Sequence, residues 1–189
     1  MNRIFLIVIT ILTFSKNSFC QKDTVFYAKD KLKGLGNLIE NKEDGFWTYW
    51  YLNGVKNSEG SYKLGIPVGY WQNWDTLGRI VCKLNWKDGL RHGALIEYDY
   101  VKNEMKIANF REDKLEGKAE WIHFDGYKIL DGSFKSGLSS GDWTWYYPNG
   151  NVKSKGKFAA GKEDGVHTWF NEDGIVIQTV KYKKGVPIE

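Results

Sequence analysis

The chain has 189 residues, 42% of them hydrophobic and 16% aromatic, with 27 Lys and Arg set against 23 Asp and Glu. Both signs of charge are scattered along the whole length, which excludes the concentrated basic face of a nucleic-acid binder. Two cysteines, Cys20 and Cys82, are too few for a disulfide framework, so stability has to come from packing.

At the N-terminus one cation, Arg3, precedes an apolar run from Ile4 to Phe14 and then a polar segment, Ser15 to Ser18. That is the build of a secretory signal peptide. The run of about 11 residues falls short of the roughly 20 that a membrane-spanning helix needs, so no membrane span is expected after residues 1–20 are removed. Ser18 and Cys20 put small residues at the two positions a signal peptidase reads, which makes Gln21 the mature N-terminus. Lipidation of Cys20 is the weaker alternative, because Phe19 and Asn17 stand where lipoprotein signals usually carry a small and an aliphatic residue. The expected location is therefore the periplasm, the cell surface or the medium. Loss of Arg3 and Lys16 leaves 25 cations against 23 acids, a nearly neutral chain whose one cysteine, Cys82, reads as a half-buried strand residue.

Residues 21–44 read as a lead-in, with Gly36 to Asn41 resembling the tail of an eroded repeat. From Gly45 a ruler of 24 residues takes over, since Gly45, Gly69, Gly93, Gly117, Gly141 and Gly165 are evenly spaced without gaps. A second glycine column lies four residues before each of the last five, at Gly65, Gly89, Gly137 and Gly161 with Asp113 as the substitute, and recurs one period on at Gly185. A third is Gly54, Gly78, Gly126, Gly150 and Gly174, broken by Lys102. The tetrapeptide Lys-Glu-Asp-Gly recurs at 42–45 and 162–165.

The aromatics keep the same period. With the leading glycine as position 0, position 17 holds Tyr62, Trp86, Phe110, Phe134, Phe158 and Tyr182. All nine tryptophans fall in positions 2, 4, 5 and 17. Within each unit two short strands are expected, as at Asp142 to Pro148 and Asn151 to Ala159. The dipeptides Asn53-Gly54, Asp125-Gly126, Asn149-Gly150 and Asp173-Gly174 supply the positive backbone angles of a tight hairpin turn between them. Connectors such as Gly137-Leu-Ser-Ser-Gly141 then lead into the next unit. The fold class read from this is all-β: an elongated, single-layer antiparallel meander of about six hairpin repeats over residues 45–189.

The pattern Gly45-Phe-Trp47-Thr-Tyr-Trp50-Tyr-Leu-Asn53-Gly54, repeated as Gly141-Asp-Trp143-Thr-Trp-Tyr146-Tyr-Pro-Asn149-Gly150, resembles the MORN repeat. So do the tails Gly60-Ser-Tyr62-Lys-Leu-Gly65, Gly132-Ser-Phe134-Lys-Ser-Gly137 and Gly156-Lys-Phe158-Ala-Ala-Gly161. The resemblance is to the bacterial variant found in proteins labelled antitoxins of the YwqK type. It implies a β-hairpin scaffold and, through that label, an antitoxin or immunity protein that neutralises a cognate toxin. Leu95 and Ala119 depart from it where tryptophan is expected, which suggests a bent or specialised middle.

A two-residue turn at Asn149-Gly150 pairs position 2 with 15 and position 0 with 17, setting Trp143 beside Gly156 and Phe158 beside Gly141. On this reading a ring lies across each glycine and fills the space its missing side chain leaves. Positions 16 and 18, which carry Lys63, Lys87, Lys135 and Lys157, face solvent.

The chemistry-bearing residues do not assemble into a known reactive constellation. His92, His123 and His167 fall at different repeat positions without a second ligand at useful spacing. Neither a Gly-x-Ser-x-Gly, a Cys-x-x-Cys nor a phosphate-cradling loop is present. The pairs Glu43 with Asp44, Asp113 with Glu116 and Glu163 with Asp164 are read as solvated loop charges rather than as the two carboxylates of a glycosidase. No enzymatic activity, cofactor or metal is expected. What remains is the ladder Trp121, Trp145 and Trp169 at position 4, with rings about 10 Å apart on one face. Exposed, it is a stacking surface for a saccharide or an extended peptide; buried, it continues the core. The reading is an exported, non-enzymatic repeat scaffold that binds a protein or an envelope glycan through its sheet surface, with the antitoxin function as the alternative.

Overall fold

The computed structural model describes residues 22–28 and 31–188, so the expected signal peptide and Cys20 lie outside the described residues. Among the described residues seventeen strands form one open antiparallel sheet, paired in chain order apart from two interruptions. Twice a strand is interrupted: Lys114–Leu115 and Gly117–His123 both pair with Glu104–Arg111, and Lys162–Glu163 and Gly165–Phe170 both pair with Val152–Ala159. No helix occurs among the described residues. The all-β meander read from the 24-residue ruler is the architecture found.

The turns are distributed differently from the reading. Between units the chain reverses in two residues: Lys135 pairs with Leu138 across Ser136 and Gly137, whose φ angles are 52° and 85°. Two positive angles in a two-residue loop make a type I′ turn, the one whose twist matches the flanking strands. The connector expected between Gly137 and Gly141 is therefore already strand, within Leu138–Tyr146. Asp113, at φ 64°, fills the same place where the glycine is missing; its short polar side chain tolerates the left-handed region.

Inside a unit the turn is longer. The Tyr147 N–H donates to Asn151 O at 2.8 Å and the Gly150 N–H to Tyr147 O at 2.9 Å, which closes a three-residue loop, Pro148-Asn149-Gly150. By itself this would slip the register by one and turn every side chain to the wrong face. A bulge between Trp145 and Tyr146 takes up the extra residue, and Trp143 pairs with Gly156 and Gly141 with Phe158 as expected. Two departures from the simple hairpin cancel. In the unit with Lys102 neither occurs: pairing runs without a shift from Gly93 with Phe110 to Asp99 with Glu104, and Asn103 takes the positive angle, φ 57°.

Two glycine columns answer different needs. At Gly141 φ is 75° and a Cβ would meet nothing within 4 Å, so the backbone angle, not a covering Phe158 ring, requires glycine there. At Gly132 a Cβ would lie 2.2 Å from the Trp143 ring. Position-2 rings thus lie on the glycine of the preceding unit: Trp47 on Gly36, Trp71 on Gly60, Trp143 on Gly132 and His167 on Gly156. Trp143 is paired with Gly156 through the backbone, yet its ring reaches back the other way.

The middle follows the same rule with other sizes. Where the ring shrinks to Leu95, the residue beneath grows to Leu84, its paired partner; at the next unit Ala119 stands against Ala108. These four join Trp71 in one buried cluster. At Leu95 and Ala119 smaller side chains take the tryptophan position and the pairs stay buried. Indole N–H groups fix the ring orientation, Trp47 Nε1 donating to Asn37 O at 3.0 Å and Trp71 Nε1 to Ser61 O at 3.2 Å.

Residues 23–39 are more than a fragment. Asp23 pairs with Gly36 and Val25 with Gly34, followed by a register shift before Phe26 and Leu32, which is the pairing and bulge of the later units. The Tyr27 hydroxyl donates to Trp50 O, as Tyr51 does to Trp74 O and Tyr147 to Phe170 O, each across 23 residues. Away from the rings, Lys63, Lys87 and Lys135 are exposed as expected.

Gly132→Ala should destabilise the chain by about 1–3 kcal/mol through overpacking, and Trp143→Ala by about 3–5 kcal/mol. The double variant recreates the alanine pair of the middle units and should cost less than the two together. Urea titration of the four proteins measures this; strict additivity would refute the ring-over-glycine contact.

Candidate binding face

Because side chains alternate across a strand, positions 2, 4, 13, 15 and 17 share one face. Positions 4 and 13 form a single row across the sheet. Its C-terminal part is Trp121, Leu130, Trp145, Ser154, Trp169 and Gln178, each paired with the next. The ladder read from the sequence lies entirely in this row, and all three of its tryptophans are half-buried.

The rings are not isolated teeth. Trp143 lies between Trp121 and Trp145, with ring centres at 5.9 and 6.2 Å, and His167 lies between Trp145 and Trp169, at 5.5 and 4.3 Å. The two interposed residues are each 6% exposed. Core residues at position 2 and half-open residues at position 4 thus make one continuous stack, part core and part surface.

His167 was passed over when the histidines were read only as metal ligands. It occupies the tryptophan position of its unit, nearly parallel to Trp169 at 9°, with Nδ1 3.0 Å from Glu163 Oε1. The repeat frame itself carried that signal, since His167 stands in the column of Trp47, Trp71 and Trp143. His123 is committed elsewhere: its Nδ1 accepts the Asp125 N–H at 3.2 Å and its ring stacks on Tyr127. Among the described residues no group of three or more His, Cys, Asp or Glu side chains is placed to hold a metal.

The carboxylates read as solvated charges are turn clamps. Asp44 accepts the Leu64 N–H at 3.1 Å, Glu116 the Ser136 N–H at 2.8 Å and Asp164 the Lys184 N–H at 3.4 Å. Each reaches the two-residue turn of the next unit, 20 residues on, which accounts for the recurrence of Lys-Glu-Asp-Gly at 42–45 and 162–165. Asp113 binds Arg91 through both the Nε, at 2.8 Å, and the backbone N–H, at 3.0 Å. Hydrogen bonding from the Arg91 side chain holds the Asp113 carboxyl below the usual range. The Lys183 hydrogen bond does the same for Asp164.

Toward the N-terminus the row changes character. Asn73, Cys82, Glu97 and Lys106 follow one another strand by strand before Trp121. Glu97 and Lys106 form an ion pair at 3.0 Å, and Lys106 Nζ stands 5.8 Å from the Trp121 ring centre. Beside them an open hollow of about 580 Å³ is lined by residues that include Cys82, Glu97, Lys106 and Trp121. The hollow lies where position 4 carries Glu97 in place of an aromatic, with Tyr98, Tyr100 and Trp121 among its other lining residues, and no column of like residues marks it in the sequence.

Residues 140–160 and 163–184 match the MORN repeat variant. These two units are MORN-type repeats. The matched segments are the hairpin around Trp143 and its successor around His167, and the other hairpins repeat their register. No curated protein matches the chain. Among solved structures it is similar to a mutant of S. aureus TarM, in complex with Fondaparinux, alpha-GlcNAc-glycerol and UDP, at 16% identity with a TM-score of 0.26. That likeness covers 60% of this chain and 18% of the other, and no functional argument rests on it. Among the described residues no helix is long and apolar enough to cross a membrane.

Burial pushes the Cys82 thiol up from 9.0 to about 11. At pH 8 native Cys82 should react with iodoacetamide roughly 100-fold more slowly than in urea-unfolded chain, because alkylation needs the thiolate. The unfolded thiol loses its proton first, so the associated stability is complete below about pH 9 and is lost as pH rises through about 11. Equal alkylation rates in the folded and unfolded chains would contradict the burial.

Proposed function

We propose that this chain is an exported, non-enzymatic MORN-repeat scaffold that binds a protein or a cell-envelope component through the face carrying Trp121, Trp145 and Trp169. The observation that carries the reading is the stack itself: rings anchored by buried Trp143 and His167 remain half-open on a sheet with no second layer over them among the described residues. Rigid aromatic surface of this kind contributes contact area at little cost in side-chain entropy. The clustered carboxylates are engaged in turn and ion-pair contacts, which favours a scaffold over a hydrolase. The signal-peptide pattern of residues 1–20 supports export.

Capture of envelope proteins and glycans by the purified chain tests the reading through two variants. Trp145→Ala should reduce capture of the bound component while keeping most of the stability, whereas Trp143→Ala should lose stability by about 3–5 kcal/mol. Equal losses of stability with unchanged capture would refute a binding role for the row. Fractionation should find the chain, beginning at Gln21, outside the cytosol; full-length chain in the cytosol would favour the antitoxin alternative.

A further inference from the structure

We propose that the hollow beside Cys82, Glu97, Lys106 and Trp121 is a binding site for a neutral saccharide. The inference deepens the reading of this face as a binding surface, but places the ligand at the polar segment of the row rather than on the tryptophan stack.

The first observation is vacancy. Position 4 is aromatic at Tyr49, Trp121, Trp145 and Trp169 and becomes Glu97 at the hollow. Next to it the position-2 ring also shrinks, to Leu95 and then Ala119, but there Leu84 and Ala108 stand in place of the glycine and the row stays buried. At position 4 the row neighbours of Glu97 are Cys82 and Lys106, and the hollow stays open beside them. The core row stays buried and the surface row does not.

The second observation is charge. Four carboxylates and three cations line the hollow, and every cation already has a carboxylate: Arg79 with Asp75 at 2.8 Å, Lys102 with Asp99 at 3.4 Å and Glu104 at 3.7 Å, and Lys106 with Glu97 at 3.0 Å. A strongly charged ligand of either sign meets charges already paired with their opposites in these partly exposed pairs and so gains little from them. A hydroxyl can donate to a free carboxylate lone pair and accept from a remaining ammonium N–H without disturbing either.

The third observation is shape and access. Trp121 is half-buried, so part of its ring surface stays open to the C–H face of a sugar ring. The Lys106 donors, 5.8 Å from its centre, lie within about one pyranose width. The hollow is lined by strand residues such as Cys82, Glu97 and Lys106 and by hairpin-end residues such as Asp75, Arg79 and Lys102; the strands that line it are paired on both sides, so an extended peptide cannot be added there as a strand.

The test is titration calorimetry of the full chain with cellohexaose and chitohexaose as neutral probes, and oligogalacturonate and a fully deacetylated chitosan hexamer as charged ones. We expect saturable binding of at least one neutral probe and binding at least about tenfold weaker for the charged probes, a difference of about 1.4 kcal/mol. Glu97→Tyr restores the aromatic that other units carry; it should keep the melting transition and weaken neutral-probe binding by at least about tenfold. Lys106→Gln should weaken binding without filling the hollow, and Lys135→Gln, at an exposed position away from the rings, should bind the sugar as the parent does. The proposal is overturned if no neutral probe saturates, if charged probes or an acidic hexapeptide bind as tightly, or if Glu97→Tyr binds unchanged. Those outcomes leave the tryptophan-stack reading standing, because that reading depends on Trp145.

Discussion

A ring laid on the glycine of the preceding unit is the contact on which this sheet depends. Trp47, Trp71 and Trp143 each occupy space that a single Cβ on the glycine beneath would invade, at 2.1 to 2.3 Å. A one-layer sheet cannot bury a side chain between two layers, so it buries large rings against its own backbone. Burial of one such ring is worth roughly 1.5–3 kcal/mol, and the glycine is what makes that burial available. Because the contact runs backward by one unit, no hairpin is complete alone, and stability is a property of neighbouring pairs.

The middle of the sheet shows that burial, rather than tryptophan, is kept along the central row. Leucine over leucine and alanine against alanine occupy the place of tryptophan over glycine, and all remain buried. The adjoining row lacks this constraint because it is half-open, and there the rings give way to Asn73, Glu97 and an ion pair. Relaxed packing at a surface row is what permits polar chemistry to enter an otherwise apolar face.

Hydrogen bonds carry the same period as the rings. Tyrosine hydroxyls reach across 23 residues to the next unit's backbone, and carboxylates reach across 20 to its two-residue turn. Where an Asp or Asn replaces the tyrosine it closes its own turn instead, as Asp75 does with the Leu77 and Arg79 N–H groups and Asn171 with those of Asp173 and Ile175. Local closure and attachment to the next unit are thus alternative uses of one position. An insertion within a unit would break several long-range contacts together, a physical reason for an ungapped 24-residue spacing.

By itself the sequence determined the period, the all-β class, the pairing of position 2 with 15 and the solvent-facing lysines, because each follows from spacing along one chain. It also singled out Trp121, Trp145 and Trp169, since a column of like residues is visible without coordinates. Only the tertiary structure decided which neighbour a ring leans on, because Trp143 is equally close in register to strands on both sides and the choice depends on twist and volume. It decided likewise that a three-residue loop and a bulge cancel, two effects with the same net register as a simple turn. The place of His167 in the stack and the hollow at Glu97 emerged last. They are defined by what stands beside a residue across the sheet, in contacts that link separate units.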